Sequence, residues 1–225
     1  MKNEVLLKRL TEIYKLMDTD TITNIEWALK KNAGAVGTGM LPFEFAALIQ
    51  DVQNEIRQDA AKASGKGEQR KALQRILKAA IGTNHEHLLQ YPVVQDGKQY
   101  FCSGFHMAVL HEPMDWVSHP DNPEYPDMKR LIVKHTQPIE LPDPAALKAY
   151  IKIQKAQKNK RIIYSYGNLV FNAQFLLDIL EALPGAVAYH DGNKYHGLYL
   201  EAESGTGLLL PCRPEPGDEI PTVLN

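Results

Sequence analysis

Phe171-Asn172-Ala173-Gln174-Phe175-Leu176-Leu177-Asp178-Ile179-Leu180-Glu181-Ala182-Leu183 is the run on which the fold turns. It reads as a helix over 172–183, stopped by Pro184-Gly185. Before it, Arg161 to Tyr166 reads as a strand and Gly167-Asn168 as a turn. After it come three short apolar runs at 186–189, 195–202 and 207–210. Turn residues separate them, Asp191-Gly192-Asn193 and Glu203-Ser204-Gly205. Strand, helix and three antiparallel strands thus fill 161–213, and the class is α+β.

Further out, Pro144 to Lys158 reads as a helix with Asp143 as its cap and proline at its first position. Leu147, Tyr150 and Ile151 are expected to face inward. Leu131 to Leu141 is extended and interrupted by Pro138, and His111 to Met128, rich in proline and acids, is a long loop. Phe105 to Leu110 is a strand. Tyr91 to Gln95 and Lys98 to Cys102 flank Asp96-Gly97, the pattern of a β-hairpin. The first 82 residues are helical. Apolar residues recur at helical spacing from Val5 to Met17, a short helix spans 24–31, and the pattern returns from Phe43 to Ala61. Ala63 to Gly67 is a break, after which 68–81 is helical with Leu73, Ile76, Leu77 and Ile81 on one side. The expected division is a helical region over 1–66, an α+β domain over 67–213 and a loose tail over 214–225.

The chain has 225 residues, 44% of them hydrophobic, enough for a core and too many for a disordered chain. A formal net charge of −2 advertises neither nucleic acid nor an anionic membrane, so such a role must rest on a local patch. Two cysteines, Cys102 and Cys212, make no disulfide framework. No apolar run reaches the ~18 residues of a membrane span, and Met1 to Leu10 lacks a signal-peptide core. The expectation is a soluble cytoplasmic protein with no membrane partner. Charge is distributed unevenly. Residues 1–82 carry +3, 83–143 carry −5, 144–177 carry +6 and 178–225 carry −6. No carboxylate lies between Asp143 and Asp178.

The run Phe171 to Leu180 resembles the segment that opens the last half-repeat of the bacterial DNA sliding clamp, the polymerase III beta subunit. That family reads Phe-Asn, two variable residues, an aromatic, Leu-Leu-Asp, a variable residue and Leu. Leu208-Leu209-Leu210-Pro211-Cys212-Arg213 is similar to its closing strand, an apolar run followed by Pro-x-Arg. Tyr100 to Ala108 is weakly similar to a clamp strand and turn reading Ala-Thr-Asp-Gly-His-Arg-Leu-Ala, with Met107 where the family has arginine. The resemblance covers about 85–213 and implies one clamp-like domain of two strand–helix–strands units. It implies that Leu176, Leu177 and Leu180 are buried against a sheet made partly by 186–210. It also implies duplex DNA and replication proteins as partners, a processivity role, and a peptide groove around Leu210, Pro211 and Cys212. Clamp rings use about six such domains, so encirclement would need about six copies of this chain or partners supplying the rest.

The strongest local signal is basic. Lys148, Lys152, Lys155 and Lys158 fall at steps of four, three and three, along one helix stripe, and Lys160 and Arg161 extend the charge. Such a stripe can track a phosphate backbone without reading bases, or be an ordinary solvated face. Catalytic frames are missing. Ser103-Gly104 lacks the G-x-S-x-G frame, Cys102 and Cys212 read as small core residues, and Gly34 to Gly39 lacks the strand and Gly-Lys-Ser/Thr of a phosphate loop. His85 and His87 could face one side of an extended segment, and Asp115, Asp121, Glu124 and Asp127 could hold a cation. With no C-x-x-C and no H-E-x-x-H, the reading is solvated histidines and a solvated loop. No catalytic residue, metal or cofactor is expected.

Three functions follow. The first is a non-enzymatic, replication-related binding module of the sliding-clamp type, able to act as a homo-oligomer. The second is an interaction or assembly module with a clamp-like fold that does not bind DNA. The third is a metal-dependent hydrolase using His85, His87 and the acidic loop.

Overall fold

The computed structural model describes residues 41–81, 91–116, 127–159, 161–166 and 169–215, together with Lys8, Thr83 and Leu89; over 41–51 only the backbone is described. Apart from Lys8, the expected helices over 5–17 and 24–31 lie outside the described residues, as do the Gly34–Gly39 segment, His85, His87, Asp121, Glu124, Lys160, the Gly167-Asn168 turn and the tail beyond Glu215. Chain contacts divide the protein into two units, Met1–Gly67 and Glu68–Asn225.

In the first unit, α1 (Leu41–Ala63) follows the apolar spacing. Its end is a Schellman motif. Gly65 takes φ 76°, its N–H donates to the Lys62 carbonyl, and the Lys66 N–H donates to the Ala61 carbonyl.

The second unit contains α2 (Gly67–Lys78), α3 (Pro144–Ala156), α4 (Ala173–Ala182) and nine strands among the described residues. These are β1 (Val93–Gln95), β2 (Lys98–Cys102), β3 (His106–Leu110), β4 (Pro138–Ile139), β5 (Ile163–Tyr166), β6 (Leu169–Asn172), β7 (Val187–Tyr189), β8 (Leu198–Ala202) and β9 (Gly205–Leu209). Seven form one sheet in the order β1-β2-β3-β9-β8-β7-β4, every neighbouring pair antiparallel. β5 and β6 form a separate hairpin. The class is therefore mixed α+β. No described helix is long and apolar enough to cross a membrane.

Local chemistry accounts for most boundaries. Asp96 and Gly97 both take positive φ, 48° and 73°, as a two-residue hairpin turn between right-twisted strands requires. Asp143 caps α3 by accepting the N–H groups of Ala145 and Ala146, with Pro144 in the first turn. Asn172 caps α4 in the same way, accepting from Gln174 and Phe175.

Three sequence expectations change. The strand β6 has no counterpart among the expected elements, because its apolar run merges in sequence with the opening of α4. The helix after the break ends at Lys78, so Ile81 is not on an inner face and is 61% exposed. α3 ends at Ala156, and Lys158 beyond it turns into the left-handed region at φ 62°.

Alternation along the central strands buries side chains on both faces of the sheet. Phe101, Ala108, Leu110, Leu200 and Leu209 point to the side where α2, α3 and α4 pack. Tyr100, Cys102, Met107, Val109 and Leu208 point to the other, against Ala80, Leu89 and Met128. α4 is the central helix. Leu176, Leu177 and Leu180 are all buried, as expected, along with Ile179. Gly207 in β9 leaves room for α4, since a Cβ there would lie 2.7 Å from Cγ2 of Ile179.

Candidate functional site

Lys148, Lys152 and Lys155 of the expected stripe lie on α3 with Lys158 beyond its end, and Lys148 and Lys155 reach α4. Leu147 and Ile151 are buried as expected, and Tyr150 donates from its hydroxyl to the Ile163 carbonyl at 2.9 Å. The opposite side carries the lysines. Lys148 Nζ sits 3.0 Å from Glu181 Oε1, and Lys155 donates to Oε1 of Gln174 at 2.9 Å. Lys148, Lys152 and Lys155 rim a groove of about 550 Å³ whose other wall holds Arg75, Leu177 and Glu181. Lys152, Lys155 and Lys158 are exposed. Arg161 lies apart from this groove's lining, 2.7 Å from Glu215 and donating to the Arg213 carbonyl. Two of the expected cations thus have carboxylate partners, which the one-signed stretch of sequence does not reveal. Each pair has one solvent-exposed partner, so water screens it and it contributes about 1 kcal/mol or less.

Leu210, Pro211 and Cys212, the expected peptide groove, line a pocket of about 860 Å³. Two backbone bonds hold this segment. The Leu210 N–H donates to the Phe105 carbonyl at 2.9 Å, and the Cys212 N–H to the Val170 carbonyl at 2.8 Å. Val170 and Tyr195 add apolar surface, while Lys194 and Arg213 supply two cations. Tyr195 is 76% exposed, the largest exposure among the big apolar side chains described.

A buried polar array links α2, β3 and α4, and no motif in the sequence marks it. Ser103 Oγ accepts the N–H groups of Phe105 and His106, so its one proton goes to the nearer of two acceptors, His106 Nδ1 at 2.7 Å rather than the His106 carbonyl at 3.2 Å. The ring hydrogen then sits on Nε2, facing Asp178 Oδ2 at 3.8 Å, beyond hydrogen-bond reach. His106 stacks on Phe175 with centroids 4.2 Å apart. Burial pushes the His106 pKa down despite Asp178, so the ring is neutral at pH 7. Asp178 accepts from Arg75 Nε at 2.5 Å and from Gln174 Nε2 at 2.9 Å, and Arg75 also pairs with Glu181. Serine, histidine and aspartate thus line up, but each is no more than 2% exposed, which leaves no approach for a substrate to the hydroxyl. Burial likewise pushes the Cys102 thiol up, away from the reactive thiolate.

His135, Asp191 and His196 make a further cluster. Asp191 receives the Asn193 N–H and faces His196, and together these hold its carboxyl pKa at about 2. The sequence signal is faint: two histidines, His190 and His196, flank Asp191 in the turn after β7, while His135 lies on a distant segment. No protein-family model matches this sequence, and no curated protein matches it either.

Proposed function

We propose that the protein is a non-enzymatic binding module of the DNA sliding-clamp type. It takes a peptide partner in the pocket after β9 and makes a weak, sequence-independent contact to duplex DNA through α3. The pocket carries this reading: Leu210, Pro211 and Cys212, singled out by resemblance to the clamp's closing strand, line a cavity of about 860 Å³. A lining of mixed polarity, with Val170, Tyr195 and Leu210 beside two cations, suits an extended segment that inserts an apolar side chain beside an acidic one. Supporting the DNA contact, Lys152, Lys155 and Lys158 are exposed on or just beyond one helix. Supporting the non-enzymatic reading, the Ser103–His106–Asp178 array is closed to solvent.

A second reading, an interaction module that does not bind DNA, is favoured by the pairs Lys148–Glu181 and Arg161–Glu215. Salt titration of binding to a labelled duplex separates the two. The first reading expects weak binding at low salt that is alike across sequences. Changing Lys152, Lys155 and Lys158 together to Gln should flatten the salt dependence by about 0.9 in log–log slope per lost phosphate contact. No binding at low salt, or binding indifferent to these changes, leaves the second reading.

A further inference from the structure

We propose that His135, Asp191 and His196 bind one divalent transition-metal ion of the zinc type. Two segments build the site. His135 lies on the stretch leading into β4, and Asp191 and His196 lie on the loop from β7 to β8. Pairing of Pro138 with Tyr189 and of Ile139 with Ala188 sets these segments side by side. The His190 N–H then donates to the Gln137 carbonyl at 2.8 Å and ties them where the cluster begins.

One ligand atom from each of the three side chains lies within 4.8 Å of the other two. Asp191 Oδ2 is 2.6 Å from His196 Nδ1 and 3.9 Å from His135 Nδ1. Ligand atoms around a tetrahedral zinc ion, with bonds of about 2.0–2.2 Å, stand roughly 3.4 Å apart. The observed separations straddle that value, so small side-chain adjustments suffice. The His135 side chain is only 6% exposed, and its Nδ1 is the nitrogen placed to ligate, 3.9 Å from the carboxylate. The other ring nitrogen, Nε2, is buried without a hydrogen-bond partner among the described residues.

His190 has another task. Its Nδ1 accepts the Gly192 N–H at 2.9 Å, which places the ring hydrogen on Nε2, 3.1 Å from the His196 carbonyl. Both nitrogens are used in folding the loop that presents Asp191 and His196. Three protein ligands therefore remain. Asp191 and His196 are 40% and 50% exposed, so an ion can enter from solvent and keep a water in its fourth position. Two imidazoles and one carboxylate favour zinc, cobalt or nickel over magnesium or calcium.

The full-length chain, stripped with a chelator and freed of it, is titrated with Zn²⁺ alone, and bound metal is measured directly. The expected result is one ion per chain. His196→Ala and Asp191→Asn should each lower affinity by about tenfold or more, with circular dichroism unchanged because both side chains are half exposed. A double change of His85 and His87 to Ala should leave uptake intact. No stoichiometric uptake, uptake that survives both ligand substitutions, or uptake lost with His85 and His87 would overturn the proposal.

Discussion

Gly205→Ala is expected to remove a large part of the stability of the C-terminal unit, more than ordinary overpacking does. Gly205 opens β9 and pairs with Leu110 on one side and Ala202 on the other. A Cβ at this position would lie 2.0 Å from the Val109 carbonyl oxygen and 2.9 Å from Cδ2 of Leu183. The first of these is backbone and cannot rotate away. Strand β9 would have to leave β3, and in the sheet order β3–β9 is the pairing that joins β1 and β2 to β8, β7 and β4. Ordinary overpacking costs about 1–3 kcal/mol, and a clash with a paired backbone oxygen should exceed it, reaching ~4 kcal/mol or more. A domain of this kind has about 5–15 kcal/mol in total. Gly97→Ala is the useful comparison. Gly97 takes φ 73° with nothing within 4 Å of an added methyl, so only backbone strain of about 1–2 kcal/mol is expected. Urea unfolding of both variants checks the difference. A Gly205→Ala protein within about 1 kcal/mol of the parent would mean that β3 and β9 do not pair in this register.

Asp178→Ala should cost about 3 kcal/mol, the lower end of the range for breaking a buried ion pair. Asp178 is 2% exposed and accepts from Arg75 and Gln174. Its loss leaves the Arg75 guanidinium with Glu181 alone and opens a gap beside His106. The cost stays at the lower end because Arg75 keeps Glu181 and is itself 35% exposed. Asp178→Asn retains the shape and an acceptor oxygen for Arg75, so it should be clearly milder. Unfolding curves of the two variants measure the gap between them. Equal, small losses would show that the array contributes little to holding α2 and β3 to α4.

Features decided within a few residues are legible in the sequence. Asp96-Gly97 announces its turn because few residues accept two positive φ values in succession. Asp143-Pro144 announces a helix start through the cap and the fixed proline φ. The lysine steps place one stripe on α3. Features made by distant pairing are not legible. Glu181 neutralises Lys148 only because α3 packs against α4. His135 meets Asp191 only because β4 pairs with β7. His106 faces Asp178 only because α4 packs against β3. β6 is hidden for a local reason: Leu169 to Asn172 has strand composition but runs straight into the Asn172 cap, so two elements read as one.

Cys212 offers the most direct measurement of peptide binding at the pocket. It is a half-buried thiol in the pocket lining, whereas Cys102, the other cysteine, is buried with its thiol pKa raised. Phage-displayed random peptides are selected on the full-length chain and counter-selected on Leu210→Glu, and the winners are tested for protection of Cys212 from alkylation. The expected result is a set of peptides pairing an apolar residue with an acidic one, which slow alkylation in proportion to occupancy and fail to bind Leu210→Glu. A selection that enriches nothing over the Leu210→Glu control, or peptides that bind while Cys212 reacts at its original rate, would contradict peptide binding at this pocket.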